Sequence, residues 1–387
     1  MRLVVPALGA ARRLESVPRS GIREVLEAGR GSNAVDLAGG DPSFPTPEHI
    51  IAAAAEAAAA GSTHYTHGRG ELRLREAIAQ KLSRDNGIVC DPEREVIVTA
   101  GALNALAATF LALLDPGDEV LIADPAFANY AAQVALAGGV PVPVPLTSEW
   151  QLDVEAVREK LSSRTRAIVV NSPANPTGAV LERSLLEALA EALDGSRVVV
   201  VSDEAYEFLV YPPAQHSSLA ALDGFADRTI SVFSFSKTYA MTGWRLGYAV
   251  APAGLDEALV KVQEHLVGCP SSVSQAAGLA ALEGPREPAE QMLAEYGRRR
   301  ELVVEALTGI DGVSLVAPAG AFYAFPRIDA LGPAPARGLA EHGVLSVPGE
   351  AFGEQGRRHI RISYAGPFEQ VERGLARLRD TIDGSCA

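Results

Sequence analysis

A chain of 387 residues, 48% hydrophobic and 21% charged, has an ordinary globular composition with room for two or three domains and no low-complexity tail. Its formal net charge of −14, from 34 Lys and Arg against 48 Asp and Glu, argues against nucleic acid or an anionic membrane as a partner, because both need clustered positive charge. No apolar run reaches the roughly 18–20 residues that span a bilayer, and Cys90, Cys269 and Cys386 offer neither a disulfide framework nor metal-ligand spacing.

The Arg-rich start, "MRLVVPALGAARRLESVPRSGIREV", lacks a long apolar segment with a small-residue cleavage site, so no secretory signal is read and the expected location is cytoplasmic. "PTPEHIIAAAAEAAAAGS" predicts an Ala-rich helix with an acidic first turn and a stop at Gly61. Seven short apolar runs follow: "EVIVTAG" (95–101), "EVLIADP" (119–125), "PVPVPL" (141–146), "AIVVNSP" (167–173), "VVVVSDE" (198–204), "TISVFSFS" (229–236) and "LGYAVAP" (246–252). Several are apolar at consecutive positions, as expected of strands buried on both faces. Amphipathic segments such as "ALNALAATFLALL" and "RSLLEALAEALD" lie between them, and this alternation predicts a mostly parallel sheet covered by helices. The last two runs are too close together for a helical crossover, so one of them should be antiparallel. From about residue 285, "AEQMLAEYGRRRELVVEAL" predicts a long helix, followed by short strands at "GAFYAF" and "HIRISYA" and the helix "FEQVERGLARLRDTI". The expected division is an arm with part of a small domain over 1–48, a large domain over 49–284 and a C-terminal small domain over 285–387.

In a parallel sheet, ligands bind at the carboxyl ends of the strands. Here those ends deliver "AGALN", where Gly101 opens a helix whose free N–H groups can hold an anion, then "NSPANPTG", then "SDEAY" with Asp203 and Tyr206, then "SFSK" with Lys237. Taken singly, "NPTG" is a common turn, a strand-end Asp is often a helix cap, and a Lys beside Ser is usually solvated. Together, at one sheet edge, they make a site.

These motifs and their order resemble the fold-type I pyridoxal-phosphate (PLP) enzymes, specifically the aspartate-aminotransferase-like class I/II. The likeness runs from "SGIREV" and "GGDPSFPTPEHI" through "LLDPGDEVLIADPAF", "VVNSPANPTGAV", "VSDEAYEFLVY" and "SFSKTYAMTGWRLGYAVAP" to "VPGEAFG" and "RISYA". It implies an α/β fold of the PLP-dependent transferase type, with a mostly parallel seven-stranded sheet, helices on both faces and a smaller α/β domain. It also implies pyridoxal 5'-phosphate as cofactor. Lys237 would form the Schiff base and move the proton, Asp203 would pair with the pyridine nitrogen, and Tyr206 and Asn175 would hydrogen-bond the ring oxygen. Phe127 stands where such enzymes stack an aromatic on the ring, without the polar handle of the Trp or Tyr often found there. Ser234, Arg245 and the backbone at Gly101, Ala102 and Leu103 match the phosphate ligands, and Tyr65 matches a tyrosine that reaches the phosphate of a neighbouring subunit. Arg361 matches the arginine that grips the substrate α-carboxylate bidentately, under a segment containing Gly40.

Two departures, Ala174 where an Asn is common and Leu103 where many relatives have Lys, carry no assigned role. In "YTHGRGELRLRE", His67, Arg69 and Arg73 are candidates to recognise a polar or acidic side chain, and solvated helix-start residues are the alternative. The resemblance implies an aminotransferase that moves the amino group of an α-amino acid to a 2-oxo acid, and a homodimer. Elimination, cyclisation, decarboxylation or oxidation on the same cofactor is the alternative chemistry. A non-catalytic regulator would need an added basic DNA-binding segment, and the 34 residues before "VDLAGGDP" are too few for one.

Overall fold

In the computed structural model, residues 11–15 and 17–385 are described, and Cys386 and the first ten residues lie outside them. The seven apolar runs become one sheet: β1 (Val96–Thr99), β2 (Glu119–Asp124), β3 (Val140–Pro145), β4 (Thr165–Asn171), β5 (Val199–Asp203), β6 (Thr229–Ser234) and β7 (Gly247–Val250). Their spatial order is β1-β7-β6-β5-β4-β2-β3. Strands β2 to β6 pair in parallel, while β7 runs antiparallel to both β6 and β1. The reason is the short connection anticipated from the sequence. Between β6 and β7 there is space only for the single turn Phe235–Thr238 and the 3-10 turn Thr242–Trp244.

Burial on both faces explains the unbroken apolar runs. Every residue of β1, β5 and β7 is buried. Val120 and Ile122 pack into one core cluster and Leu121 into another, and Val169 and Ile168 divide the same way, because successive strand side chains point to opposite faces. Strand β3, "VPVPVP", is an edge. Its prolines sit at alternate positions, so they remove only donors that an edge strand does not use.

The C-terminal unit joins the long helix Glu287–Thr308, a three-stranded antiparallel sheet of Tyr323–Ala324, Ile360–Ser363 and Val347–Pro348, and the helix Phe368–Ser385. Val35–Asp36 pairs with Val344–Leu345, so the N-terminal segment packs with this unit. Val35 and Leu37 share a core with Tyr296, Phe322, Ile362 and Leu375, and the same core also takes in Tyr206 and Leu209 from beyond β5. Among the described residues, no helix is long and apolar enough to cross a membrane.

Candidate active site

Strand register brings the polar ends level. Asn171 lies opposite Asp203, Asp203 opposite Val232, and Ser234 opposite Gly247, which also faces Thr99. A cavity of about 230 Å3 opens above this edge. Lys237, in the turn that follows β6, points into it and donates through Nζ to the carbonyl of Gly40 at 2.6 Å. Burial lowers its amine to about 8, against a raising pull from Asp41 and with help from the positive charges of Arg361 and Arg245. Gly40 comes so close to the opposite wall that a Cβ there would lie 2.3 Å from the Tyr323 hydroxyl.

One end of the cavity suits a small anion. Gly101 has φ +85°, and a Cβ on it would meet the Arg245 guanidinium at 2.7 Å, so glycine is what lets the arginine cover the helix start. Helix Ala102–Leu113 begins there with no side-chain cap, leaving first-turn amides without an i−4 carbonyl. Ala102, Leu103, Ser234, Ser236 and Arg245 all line this end. Arg245 is held by one bond, from Nη1 to the Thr242 carbonyl at 2.8 Å.

The other end is built around Arg361 on the strand Ile360–Ser363. The side chain is 1% exposed. It donates to Asn175 Oδ1 at 3.0 Å and to the Ala38 carbonyl at 2.7 Å, and lies 4.4 Å from the Tyr323 ring centroid. Its Nε is buried without a partner. Burial lowers its pKa, opposed by Tyr323, Tyr206 and Asp36. Asn175 is placed by Asn171, whose Oδ1 accepts from the Asn175 amide at 2.9 Å and whose Nδ2 donates to the Asp203 carbonyl at 2.9 Å.

Asp203 is buried against the cavity floor. Tyr130 donates to its Oδ2 at 2.7 Å and the Ala205 amide to its Oδ1 at 3.1 Å. Burial raises its pKa, and the Tyr130 and Ala205 hydrogen bonds resist that rise. Tyr206 shares a 2.9 Å hydrogen bond with Tyr323, and its phenol is pushed well above its ordinary value, mainly by burial.

The cavity therefore gathers Gly40, Ala102, Leu103, Phe127, Asn175, Asp203, Tyr206, Ser234, Lys237, Arg245 and Arg361 from the sequence-derived set, with Gly101 directly behind Arg245. Tyr65 is 94% exposed and lies outside it. His67 is also exposed, and its Nδ1 accepts from the Arg69 amide at 3.1 Å. Arg69 departs from expectation. It is 6% exposed and donates to Asp256 and Glu257, both at 2.8 Å, so a buried ion pair takes up the guanidinium that was a candidate for substrate. Arg73 is solvated and pairs with Glu283 at 3.1 Å. Tyr130, Asn171, Ser236 and Tyr323 line the cavity without having been singled out from the sequence.

These residues fit PLP. Lys237, Arg245 and Arg361 outnumber Asp203 among the lining charges, in a chain whose net charge is −14. Among the described residues neither arginine is paired with a carboxylate, and Asp203 is paired with no cation. Such groups await a ligand with two anionic ends and a positive centre.

A lysine with a lowered amine between an anion cradle and a buried carboxylate, at the strand ends of a doubly covered parallel sheet, is the arrangement of a PLP enzyme of fold-type I. The family model "Aminotransferase class I and II" matches residues 32–378. The chain is 42% identical over 379 residues to an aspartate aminotransferase of Pyrococcus abyssi (96% of this chain, 97% of that one). It is 40% identical over 379 residues to aromatic-amino-acid aminotransferase 2 of Thermococcus litoralis, at 96% and 97% coverage. The solved aspartate aminotransferase of Thermus thermophilus with maleate superposes with a TM-score of 0.92 at 39% identity, covering 97% of this chain and 100% of that one. The chain belongs to the class I and II aminotransferase family, and it is a PLP-dependent enzyme that exchanges amino groups between amino acids and oxo acids.

Proposed function

We propose that Lys237, Asp203 and Tyr206 carry the reaction, with Arg361 as the substrate's anchor. Bound, the cofactor supplies an aldehyde that takes the amino group and a ring that draws electrons from the substrate Cα. Lys237 Nζ, whose amine is lowered to about 8, would take the proton from the substrate Cα and hand it on. Asp203 would keep the pyridine nitrogen protonated, while Tyr206 and Asn175 would donate to the ring oxygen. Phe127 would cover the ring. Ser234, Arg245 and the amides of Ala102 and Leu103 would hold the phosphate. Gly40 and its neighbours would lie over the carboxylate and keep water out.

The unpartnered Nε of buried Arg361 is the observation that carries this reading. Two parallel N–H groups match a carboxylate, and a lysine offers only a point charge. Arg361→Lys should lower kcat/KM for amino acids about 100-fold, the worth of one to two charge-assisted hydrogen bonds. It should leave the reaction of a simple primary amine with the bound cofactor unchanged, and equal losses for both would sink the assignment. Ile22 adds an apolar side chain to the cavity lining outside the anion cradle, which favours donors with aromatic or aliphatic side chains. An acidic side chain would need a cation from a partner subunit.

The proposed assembly is a cytoplasmic homodimer in which Tyr65 reaches the neighbour's phosphate, consistent with its 94% exposure here. His67, exposed two residues on, can contribute only to that neighbouring cavity. The proposed division remains an arm and part of the small domain to residue 48, a large domain to 284 and a small domain beyond.

A further inference from the structure

We propose that Tyr130 is a positioning residue that holds Asp203 ionised and in one orientation toward the cofactor ring, while bracing the ring-stacking Phe127. The inference rests on the reading of Asp203 as the partner of the pyridine nitrogen. Tyr130 lies in helix Asn129–Leu136 and is 1% exposed. Its phenol donates to Asp203 Oδ2 at 2.7 Å, while the Ala205 amide donates to Oδ1 at 3.1 Å. One donor on each oxygen fixes the rotation of the carboxyl group.

The electrostatic need is evident from what surrounds the carboxylate. Besides Tyr130, the ionisable groups that bear on it are Glu204 and Tyr206, and neither brings positive charge. A buried carboxylate with an acidic neighbour tends to take up a proton unless donors favour its charged form. The phenol is suited to that task. Burial and the adjacent carboxylate push its own ionisation well above the ordinary value, so it is an O–H donor at neutral pH. Its ring also meets Phe127 edge-on, with centroids 5.6 Å apart at 85°. One side chain therefore bears on both the charge partner and the stacking partner of the cofactor.

Tyr130→Phe retains the ring and the Phe127 contact and removes only the O–H. Affinity of the apo protein for PLP should fall on acidification as Asp203 takes up a proton. In Tyr130→Phe that fall should begin about one to two pH units higher, the equivalent of one hydrogen bond to a charged group. The variant should then bind PLP about 10- to 100-fold more weakly on the acid side and alike at high pH. With 15N-labelled PLP, the pyridine nitrogen resonance should move toward the unprotonated position. A fluorinated tyrosine at position 130 keeps the shape and donates more strongly, so it should shift the fall the opposite way. Wild-type pH dependence and 15N shift in Tyr130→Phe would overturn the proposal. So would equal, pH-independent losses in Tyr130→Phe and Tyr130→Leu, which would leave packing as the only role. Asp203→Asn in the same titration separates the two levels. Undiminished binding there removes the reading of Asp203 and this inference with it, whereas weak binding in Asp203→Asn beside normal binding in Tyr130→Phe removes the inference alone.

Discussion

Arg69→Met distinguishes a structural arginine from a substrate-recognising one. The guanidinium donates to Asp256, 1% exposed, to Glu257 and to the Arg94 carbonyl. The backbone of the same segment covers the open edge of β1, where the Val98 amide donates to the Arg69 carbonyl at 3.0 Å. Removing one member of a buried pair costs about 3–5 kcal/mol, because the other charge stays buried. Asp256 would retain the Gly254 amide at 2.9 Å and a place in the first turn of helix Asp256–Leu266, which sets the expectation near the lower limit, about 3 kcal/mol. Glu257 is exposed, and its share of the pair adds little. Urea unfolding of the apo protein measures the cost, and adding Asp256→Asn to Arg69→Met should recover part of it. KM for acidic and apolar donors should be unchanged. A stable Arg69→Met protein with KM raised only for acidic donors would refute the structural assignment.

The depressed Lys237 amine predicts that borohydride-trapped labelling of the apo protein by PLP has a pH midpoint near 8, and that Asp41→Asn lowers this midpoint by removing the charge that raises it; an ordinary lysine value of about 10.4 would contradict both. Burial alone would lower the His216 pKa, but the 2.8 Å bond to Glu204 and its charge outweigh it and the net shift is upward. That stabilisation is fully present below the unfolded value of about 6.5 and fades as pH rises through the folded one, so His216→Gln should cost more stability near pH 6 than near pH 9, and a pH-independent cost would rule out an ionic pair. If Tyr65 completes the neighbouring site, light scattering should give a dimer and Tyr65→Ala should weaken PLP binding while leaving that mass intact; a monomer with wild-type PLP affinity would reject the proposed assembly.

Most of the sheet was legible because burial on both faces leaves a local mark. Runs such as "VVVV" and "AIVV" do not alternate, because each side is covered. That one of the last two strands is antiparallel was legible from the shortness of their connection, and the pairing shows it to be β7. Strand-end groups were equally visible, since a parallel sheet presents its ligands at one edge. Tyr130 and Tyr323 were not. Tyr130 sits in "NYAAQVAL", where an aromatic has the appearance of an ordinary core position. Its only local signal is its place three residues after Phe127, across the turn that opens the helix, where the Tyr130 amide donates to the Phe127 carbonyl at 3.0 Å. Tyr323 is hidden in the same way within the apolar "GAFYAF".

The arginines show where sequence stops informing. Arg69 and Arg245 both lie in polar, glycine-flanked stretches, and what separates them is Asp256, 187 residues from Arg69. Once partners are known, the buried arginines sort themselves. Arg69 is held by Asp256, Arg299 by Glu295, and Arg75 by the carbonyls of Gly70, Pro92 and Glu93. Among the described residues, Arg361 alone of these has a buried N–H with nothing to donate to. A buried, unspent donor on a cation costs stability unless a ligand takes it. The position that looks worst made for folding is therefore the one we propose for an incoming carboxylate.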